Sequence, residues 1–383
     1  LYKGEITMGR VLVRSEELKK SLAHIIKFIP QKPIKQVLSC VRLRFTEDVL
    51  FLDATDMSSF LTKAVYCSNE YGEKSILVEA NDFYDLVKNF KNNSEVYLEV
   101  EGSQLKIFCN SNKISIPSMP SDNFPALKDQ KHEFFMSVSA SSLQDAIRRL
   151  VGFCSTDGAE FKNAIKFSRV NDNYMQLEVF GTFGYSNVLI DLGDEILEKS
   201  FGLSKNIAES LCLFLADIEG VVDFSYSQTG TTVTIKCNDD RIVMSENNSE
   251  FPDSKKVFAN EAKASALLLT EDFTEMMKIA SKVTKNAVSV EIGDDSLSVS
   301  AQSQDKGKYE SKAEGKTTGS HFKILLYPND IVNILSKYSG KSCYVEVSET
   351  NKPVILKDLP GPLPTDVVLQ TNAIMPINPL AME

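Results

Sequence analysis

The sequence predicts an α+β protein made of three repeated units, each with two helices packed on antiparallel sheets. Three observations carry that prediction. One amphipathic helix signal occurs at Ser15–Phe28, Ser141–Phe153 and Thr270–Val283, with starts 126 and 129 residues apart. A second occurs at Glu79–Phe90, Ser204–Leu215 and Pro328–Tyr338, with starts 125 and 124 residues apart. Alternating strand-like text with turn signals fills the intervals. Solenoid repeats run to roughly 20–45 residues, so a unit this long is a domain in its own right.

Each element has a local reason. In the first helix type, Leu18, Leu22, Ile25 and Ile26 recur at helical spacing, and Ser15-Glu16-Glu17 suits a helix start. The later copies place Leu143, Ile147, Leu150 and Val151, then Phe273, Met276, Met277 and Ala280, on one face. In the second type, Asn81, Ser204 and Asn329 are the expected caps, and Pro328 fits a first turn. Strands are expected at Val41–Phe45, Ile165–Phe167 and Val288–Ile292. Hairpins are expected at Glu95–Val100 with Gln104–Phe108, Val221–Tyr226 with Thr231–Cys237, and Ser342–Val347 with Pro353–Leu356. Their turns are Glu101-Gly102-Ser103, Thr229-Gly230 and Thr350-Asn351. Pro117–Gln130 and Ser245–Ala264 read as linkers. The expected domains are therefore 8–125, 130–250 and 254–383, with Met8 as the expected start residue.

Composition limits the function. The 383 residues are 43% hydrophobic and 25% charged, a globular balance that excludes bulk disorder. Apolar runs fall short of the ~18 residues of a membrane span. Leu1–Val13 lacks the apolar core of a secretory signal. A soluble, cytoplasmic protein is expected. Its net charge of −10 argues against a uniformly basic nucleic-acid binder, though not against a local basic surface. The seven cysteines, Cys40, Cys67, Cys109, Cys154, Cys212, Cys237 and Cys343, are widely spaced and form no CxxC, as expected of reduced, mostly buried thiols. The sequons at Asn92 and Asn247 are read as chance matches.

Catalytic motifs fail on inspection. Gly315-Lys316-Thr317 and Gly340-Lys341-Ser342 end like phosphate loops, but Glu310 and Leu335 stand where the earlier glycine is needed. His24, His132 and His321 are each alone in their segments, and the pairs Asp239-Asp240 and Asp294-Asp295 sit in turn contexts. No nucleophile, base and oxyanion site assemble, so no enzyme, metal or cofactor is expected.

The helices carry a basic pattern instead: Lys19, Lys20 and Lys27 with Lys32 and Lys35 following, Arg148 and Arg149, and Lys278, Lys282 and Lys285. The second type adds Lys88 and Lys91, Lys205, and Lys337 with Lys341. Equivalent helices sharing a basic face could hold nucleic-acid phosphates without reading sequence. Acids early and bases late in a helix also simply suit its dipole.

Three segments are more specific. They are Ser118-Met119-Pro120-Ser121-Asp122-Asn123-Phe124-Pro125-Ala126-Leu127, Glu250-Phe251-Pro252-Asp253 with Lys255-Lys256-Val257, and Ala373-Ile374-Met375-Pro376-Ile377. In order and spacing they resemble the two linkers and the C-terminal strand of the bacterial DNA sliding clamps, the beta subunit of DNA polymerase III. The resemblance runs from about Val11 to Pro379. It implies a processivity factor, a head-to-tail homodimer closed around double-stranded DNA, that needs a separate clamp loader and tethers polymerase and other partners by short peptides. By analogy Ile107, Lys113, Ile114 and Ser115 would meet Ile279, Ala280 and the 308–313 segment of a second copy. The partner pocket would take Thr182, Gly184, Tyr185, Ser186, Asn187, Pro252, Lys256, Val257, Tyr327, Asp330, Met375, Pro376 and Ile377. Phe183, Tyr185, Ser186, Asn187 and Asn378 depart from the family's usual residues. Lys32 and Lys205 fall at family DNA contacts, with Arg148, Arg149, Lys278, Lys282 and Lys285 added from helix position. Asn81 and Asn286 stand where the family often has arginine. The altered pocket loop keeps a second reading open, a divergent clamp-fold paralogue that serves as an interaction scaffold with other partners.

Overall fold

Leu18, Leu22 and Ile25 share one helix face and are fully buried, while Glu16, Glu17, Lys20 and Lys27 face water. The first helix forms because that stripe has sheet to cover. A computed structural model describes residues 10–70, 72–125, 132–170, 173–182, 184–195, 197–227, 231–258, 261–319, 321–359 and 367–377. Met8, Ala126, Leu127, Phe183, Thr229, Gly230 and residues 378–383 lie outside the described residues.

The order strand, helix, strands, helix, strands occurs three times. The first run is β1 (Val11–Arg14), α1 (Ser15–Phe28), β2 (Cys40–Phe45), β3 (Val49–Thr55), β4 (Ser59–Asn69), β5 (Lys74–Glu79), α2 (Ala80–Val87), β6 (Glu95–Glu101), β7 (Gln104–Cys109), β8 (Asn112–Pro117) and the short β9 (Met119–Pro120). The second is β10 (His132–Ser139), α3 (Ala140–Leu150), β11 (Ala164–Arg169), β12 (Tyr174–Gly181), β13 (Gly184–Asp191), β14 (Phe201–Ser204), α4 (Lys205–Leu215), β15 (Val221–Ser227), β16 (Thr232–Cys237) and β17 (Asp240–Ser245). The third is β18 (Ala264–Leu269), α5 (Thr270–Val283), β19 (Val288–Gly293), β20 (Ser296–Ser303), β21 (Gly307–Glu314), β22 (Lys316–Gly319), β23 (Phe322–Leu326), α6 (Pro328–Leu335), β24 (Ser342–Val347), β25 (Val354–Leu359) and β26 (Val367–Ile374). The α+β class is as the sequence predicts.

Packing groups the chain into two units, Leu1–Ala140 with Ser210–Glu246, and Ser141–Glu209 with Asn247–Glu383. The second repeat contributes to both. In the first unit the strand path is β10-β15-β16-β17-β4-β1-β6-β7-β8, with β2, β3, β5 and β9 branching from it. The first repeat joins the second through β4 and β17, with Thr62 opposite Arg241 and Ser59 opposite Met244. The other unit holds the order β14-β11-β12-β13-β26-β25-β24-β18-β22 and a smaller sheet β21-β20-β19-β23. There β13 and β26 pair with Tyr185 opposite Ala373. Every pairing registered is antiparallel, and apolar side chains alternate inward along the strands.

Several local expectations need correction. Glu79, not Asn81, caps α2, its carboxylate accepting from the Asp82 N–H at 2.7 Å. Asn329 likewise lies inside α6, whose cap position is Tyr327, with Pro328 in the first turn. Both helices are shorter than their apolar pattern, ending at Val87 and Leu335, because the next residues turn back in i→i−3 bonds such as Phe90 N–H to Val87 O. α3 likewise stops at Leu150 and tightens into a 3₁₀ turn over Val151–Phe153. The proline-rich segment after β8 is not a bare linker. It carries β9, paired to β5, and buries Phe124 on Cys40 and Leu77.

Candidate functional site

The cations nominated for nucleic acid divide by what surrounds them. α1 ends before Pro30, and the Lys32 that follows is exposed. Arg148, Lys278, Lys282 and Lys285 are exposed and form no ion pair among the described residues, and Lys205, the first residue of α4, is half-buried. These five and Lys32 are available to an anionic partner. Arg149 is not. Its side chain is 12% exposed and pairs with Asp145 at 2.7 Å and Asp358 at 3.2 Å. It also donates to the Lys337 carbonyl at 3.0 Å. The expectation that Arg149 contacts DNA is therefore corrected: its charge is consumed within the fold. Lys19 is similarly committed, donating to the Phe90 carbonyl and to Asn92 Oδ1.

The pocket residues all fall in the unit that holds β13 and β26. Gly181 and Gly184 face each other across the β12–β13 turn. A Cβ on Gly184 would lie 2.4 Å from the Ala373 carbonyl oxygen, and its φ is +104°. Only glycine fits there. Three nominated side chains after it are buried, which corrects their assignment as pocket lining. Tyr185 donates from its hydroxyl to Glu178 at 3.0 Å and accepts from Gln176 and Asn187. Burial, then the Glu178 charge, pushes the Tyr185 phenol well above its ordinary range. Lys166 holds the other Glu178 oxygen at 2.9 Å. Ser186 accepts from Asn372 Nδ2 at 2.7 Å. Ordinary turn and strand logic places a polar cluster like this against water. Here the partners satisfy one another beneath the surface.

What remains outward is mostly apolar. Met375 is 60% exposed and Tyr327 49% exposed, with Thr182, Pro252 and Lys256 also exposed and Val257, Asp330 and Ile377 half-buried. Pro376 is buried. The Ile377 N–H bonds the Leu325 carbonyl at 2.9 Å, which brings the chain after β26 beside the segment leading to Tyr327. Burial raises the Asp330 carboxyl pKa. Phe258 was not nominated, yet it is exposed, packs its ring edge-on to Tyr185 at 5.4 Å, and lines a groove with Val257, Ile355 and Lys357. An aromatic two residues past Lys256 in an otherwise polar stretch was its available signal.

The nominated self-association residues also divide. β8 is an edge strand with Lys113 and Ser115 exposed and Ile114 half-buried. β21 is an edge of the smaller sheet, with Lys308, Glu310, Lys312 and Glu314 pointing outward along it. Ile279 is 41% exposed on α5. Ile107 and Ala280 are fully buried, so their nomination as contact residues is corrected. Each faces its own core, Ile107 directly opposite the half-buried Ile114 and Ala280 next to Ile279 on the helix.

In the phosphate-loop fragment Gly315-Lys316-Thr317, Gly315 lies between β21 and β22, where a Cβ would strike the Leu267 carbonyl, and Lys316 and Thr317 open β22. His24 is buried and bonds Asp217, while the Nδ1 of its ring has no partner. Burial first, then Lys63 and Lys27, lowers its pKa below 6.5 against the pull of Asp217. The seven cysteines are free thiols, and the described residues hold no cluster suited to a metal. No helix among them is long and apolar enough to cross a membrane.

Known proteins share this geometry. Residues 10–128 match the model for the DNA polymerase III beta subunit, N-terminal domain. The beta sliding clamp of Chlamydia muridarum is 20% identical over 360 residues, covering 91% of this chain and 95% of the relative. That of Helicobacter pylori is 21% identical, over 72% of this chain and 73% of the relative. Among solved structures, a sliding clamp from Pseudomonas aeruginosa bound to griselimycin superposes with a TM-score of 0.86 at 16% identity, covering 97% and 99% of the two chains. The DNA polymerase III beta subunit of Thermotoga maritima gives 0.83 at 22% identity, with the same coverage. The fold is that of the DNA clamps. Residues 10–128 carry the family match, and along most of its length the chain is similar to the beta sliding clamps.

Proposed function

We propose that the chain is a non-catalytic processivity factor that closes as a head-to-tail homodimer around double-stranded DNA. The observation that carries this reading is the pair of open strand edges, β8 in one unit and β21 in the other. Unpaired edges invite strand addition, and a ring removes them by pairing one copy's β8 with its partner's β21. The three repeats 8–125, 130–250 and 254–383 then act as successive clamp domains. Helix cations at Lys32, Arg148, Lys205, Lys278, Lys282 and Lys285 face the duplex. Few and mostly exposed, they give weak phosphate contacts that read no sequence and leave sliding possible. Attachment comes from topology rather than affinity. Opening falls to a separate ATP-driven loader, and the ring works in the cytoplasm.

Partner proteins dock by a short peptide on Met375, Tyr327, Ile377, Val257 and the exposed residues Thr182, Pro252 and Lys256. With Tyr185, Ser186 and Asn187 withdrawn, that surface binds through apolar contact more than through charge. This burial also supports the second reading, a paralogue with altered partners. Electron microscopy with solution mass tests the first claim: a two-subunit ring with a central hole is expected. A monomer at concentrations well above micromolar would refute it. A peptide carrying the family's clamp-binding motif separates the two readings, since micromolar binding favours the replication clamp and no binding favours the scaffold.

A further inference from the structure

In the first unit, Arg241 on β17, Thr62 on β4, Asp53 on β3 and Arg42 on β2 stand directly opposite one another in register. They form a straight row across four strands. Arg44 lies two residues beyond Arg42 on the same face. This face is the reverse of the one that buries Leu43, Leu52, Leu61 and Ile242. The row lines a cleft of about 200 Å³ with Phe60 at its wall.

Among the described residues Asp53 is the only acid lining the cleft, and it is buried. It accepts from Arg42 Nε at 3.0 Å, from Arg44 Nε at 2.5 Å and Nη2 at 3.1 Å, and from Thr62 Oγ1 at 2.8 Å. Burial alone would raise its carboxyl; Arg44, Arg42 and Thr62 outweigh that and hold its pKa below the ordinary value. The carboxylate therefore stays charged and offsets one guanidinium of three. Arg42 offers it only Nε–H, so both of its terminal nitrogens have no protein acceptor among the described residues. Arg241 is exposed and has none at all there. Its neighbour in register, Lys236, stands opposite Asp223 on the next strand. Two uncompensated positive charges remain, in a chain whose net charge is −10.

The guanidiniums are also held in place. Arg42 lies over the Phe124 ring and Arg44 over the Phe51 ring, each 4.6 Å from the centroid. An aromatic ring beneath each guanidinium restricts its motion, and both arginines line the cleft. A fork of fixed donors carrying two charges fits a tetrahedral oxyanion of charge −2. The cleft is smaller than the ~300 Å³ at which pockets begin to enclose drug-sized ligands. We propose that it binds a phosphate dianion, free or as the end group of a small phosphomonoester. The site shares no residue with the helix cations or the peptide surface, so it stands whether or not the clamp reading does.

The test is calorimetric titration of the full chain at pH 8 with inorganic phosphate, then with a nucleoside monophosphate. Sodium chloride at matched ionic strength is the control. Saturable one-to-one binding is expected for phosphate and none for chloride. Arg241→Gln should weaken it about tenfold or more, the loss expected when a charge-assisted hydrogen-bonding group is removed. Lys323→Gln, the same charge change at an exposed site on β23, should leave it unchanged. Arg241 holds none of the Asp53 contacts, so the variant keeps the fold, which thermal unfolding would verify. If the nucleotide binds tighter than phosphate, the natural ligand is a phosphomonoester; equal affinity assigns the site to the free ion. Either result upholds a phosphate site. Heat no greater than the chloride control, or equal affinity in wild type and Arg241→Gln, would overturn it.

Discussion

Arg149 Nη1 lies 3.2 Å from Asp358 Oδ2, and the pair fastens α3 to β25. The Asp358 side chain is only 2% exposed and also accepts from the backbone N–H groups of Ser339 and Gly340, each at 2.8 Å. Breaking a buried pair by removing one partner costs ~3–5 kcal/mol, less where other donors persist. Arg149→Ala should thus lower stability by about 2–3 kcal/mol in urea unfolding. A purely DNA-contacting arginine would leave stability unchanged and alter only the salt dependence of DNA binding. By contrast, Lys278→Gln should leave stability alone and reduce the salt slope by roughly 1.

Glycine at 184 is required by both its φ of +104° and the Ala373 carbonyl. Gly184→Ala should cost well over ~1 kcal/mol, the strain of an unsuitable backbone position adding to the clash. The same variant should weaken peptide binding, because the β13–β26 ladder supports that surface. A melting temperature equal to wild type would contradict the geometry.

Tyr185 and Met375 make opposite predictions. Tyr185→Phe deletes a hydroxyl that joins Glu178, Gln176 and Asn187, and should destabilise by about 1–3 kcal/mol with little direct effect on peptide affinity. Met375→Ala removes an exposed side chain and should leave stability within about 0.5 kcal/mol. Peptide affinity should then fall roughly tenfold, as for a central apolar contact. Fluorescence anisotropy with a labelled peptide reads both.

Ile279 is exposed on α5, so Ile279→Asp should not harm the isolated chain. In the proposed ring it would bury a charge at the junction between copies. Sedimentation should show the variant as a monomer where wild type is a dimer. A variant that stays dimeric would remove α5 from the interface.

Acidification should act through His24. Its neutral ring donates from Nε2 to Asp217, while Nδ1, unprotonated in that tautomer, finds no donor. The groups facing it are Lys63, Lys27 and Asp217, and the net effect with burial is a lowered pKa. The stability it contributes is present above pH 6.5 and is lost as pH falls toward the folded value. Urea midpoints should drop between pH 7.5 and pH 5.5, and His24→Gln should lessen that drop.

The sequence carried the architecture further than the surface. α1 and α5 run Ser15–Phe28 and Thr270–Val283, the spans their apolar spacing predicts. Periodicity reports which face a residue occupies, and that sufficed for helices. Depth is a different quantity. Ile107 pairs with the half-buried Ile114 and Ala280 follows the exposed Ile279, yet both are fully buried. Tyr185, Ser186 and Asn187 look like a polar loop in the text. Their burial depends on Glu178, Gln176 and Asn372 arriving from other strands, which no local window reveals. Phe124 is hidden the same way, an aromatic in a proline-rich run whose partners, Cys40 and Leu77, are distant in sequence.

The ladder from Arg241–Thr62 to Met244–Ser59 has a consequence for how the chain could be divided. It welds strands whose residues are nearly two hundred positions apart, with no covalent bond between them. A chain cut between Pro120 and His132 would hold together along this seam. The two fragments, made separately, should each display a raw sheet margin and precipitate. Mixed during refolding, each would act as the template on which the other becomes whole.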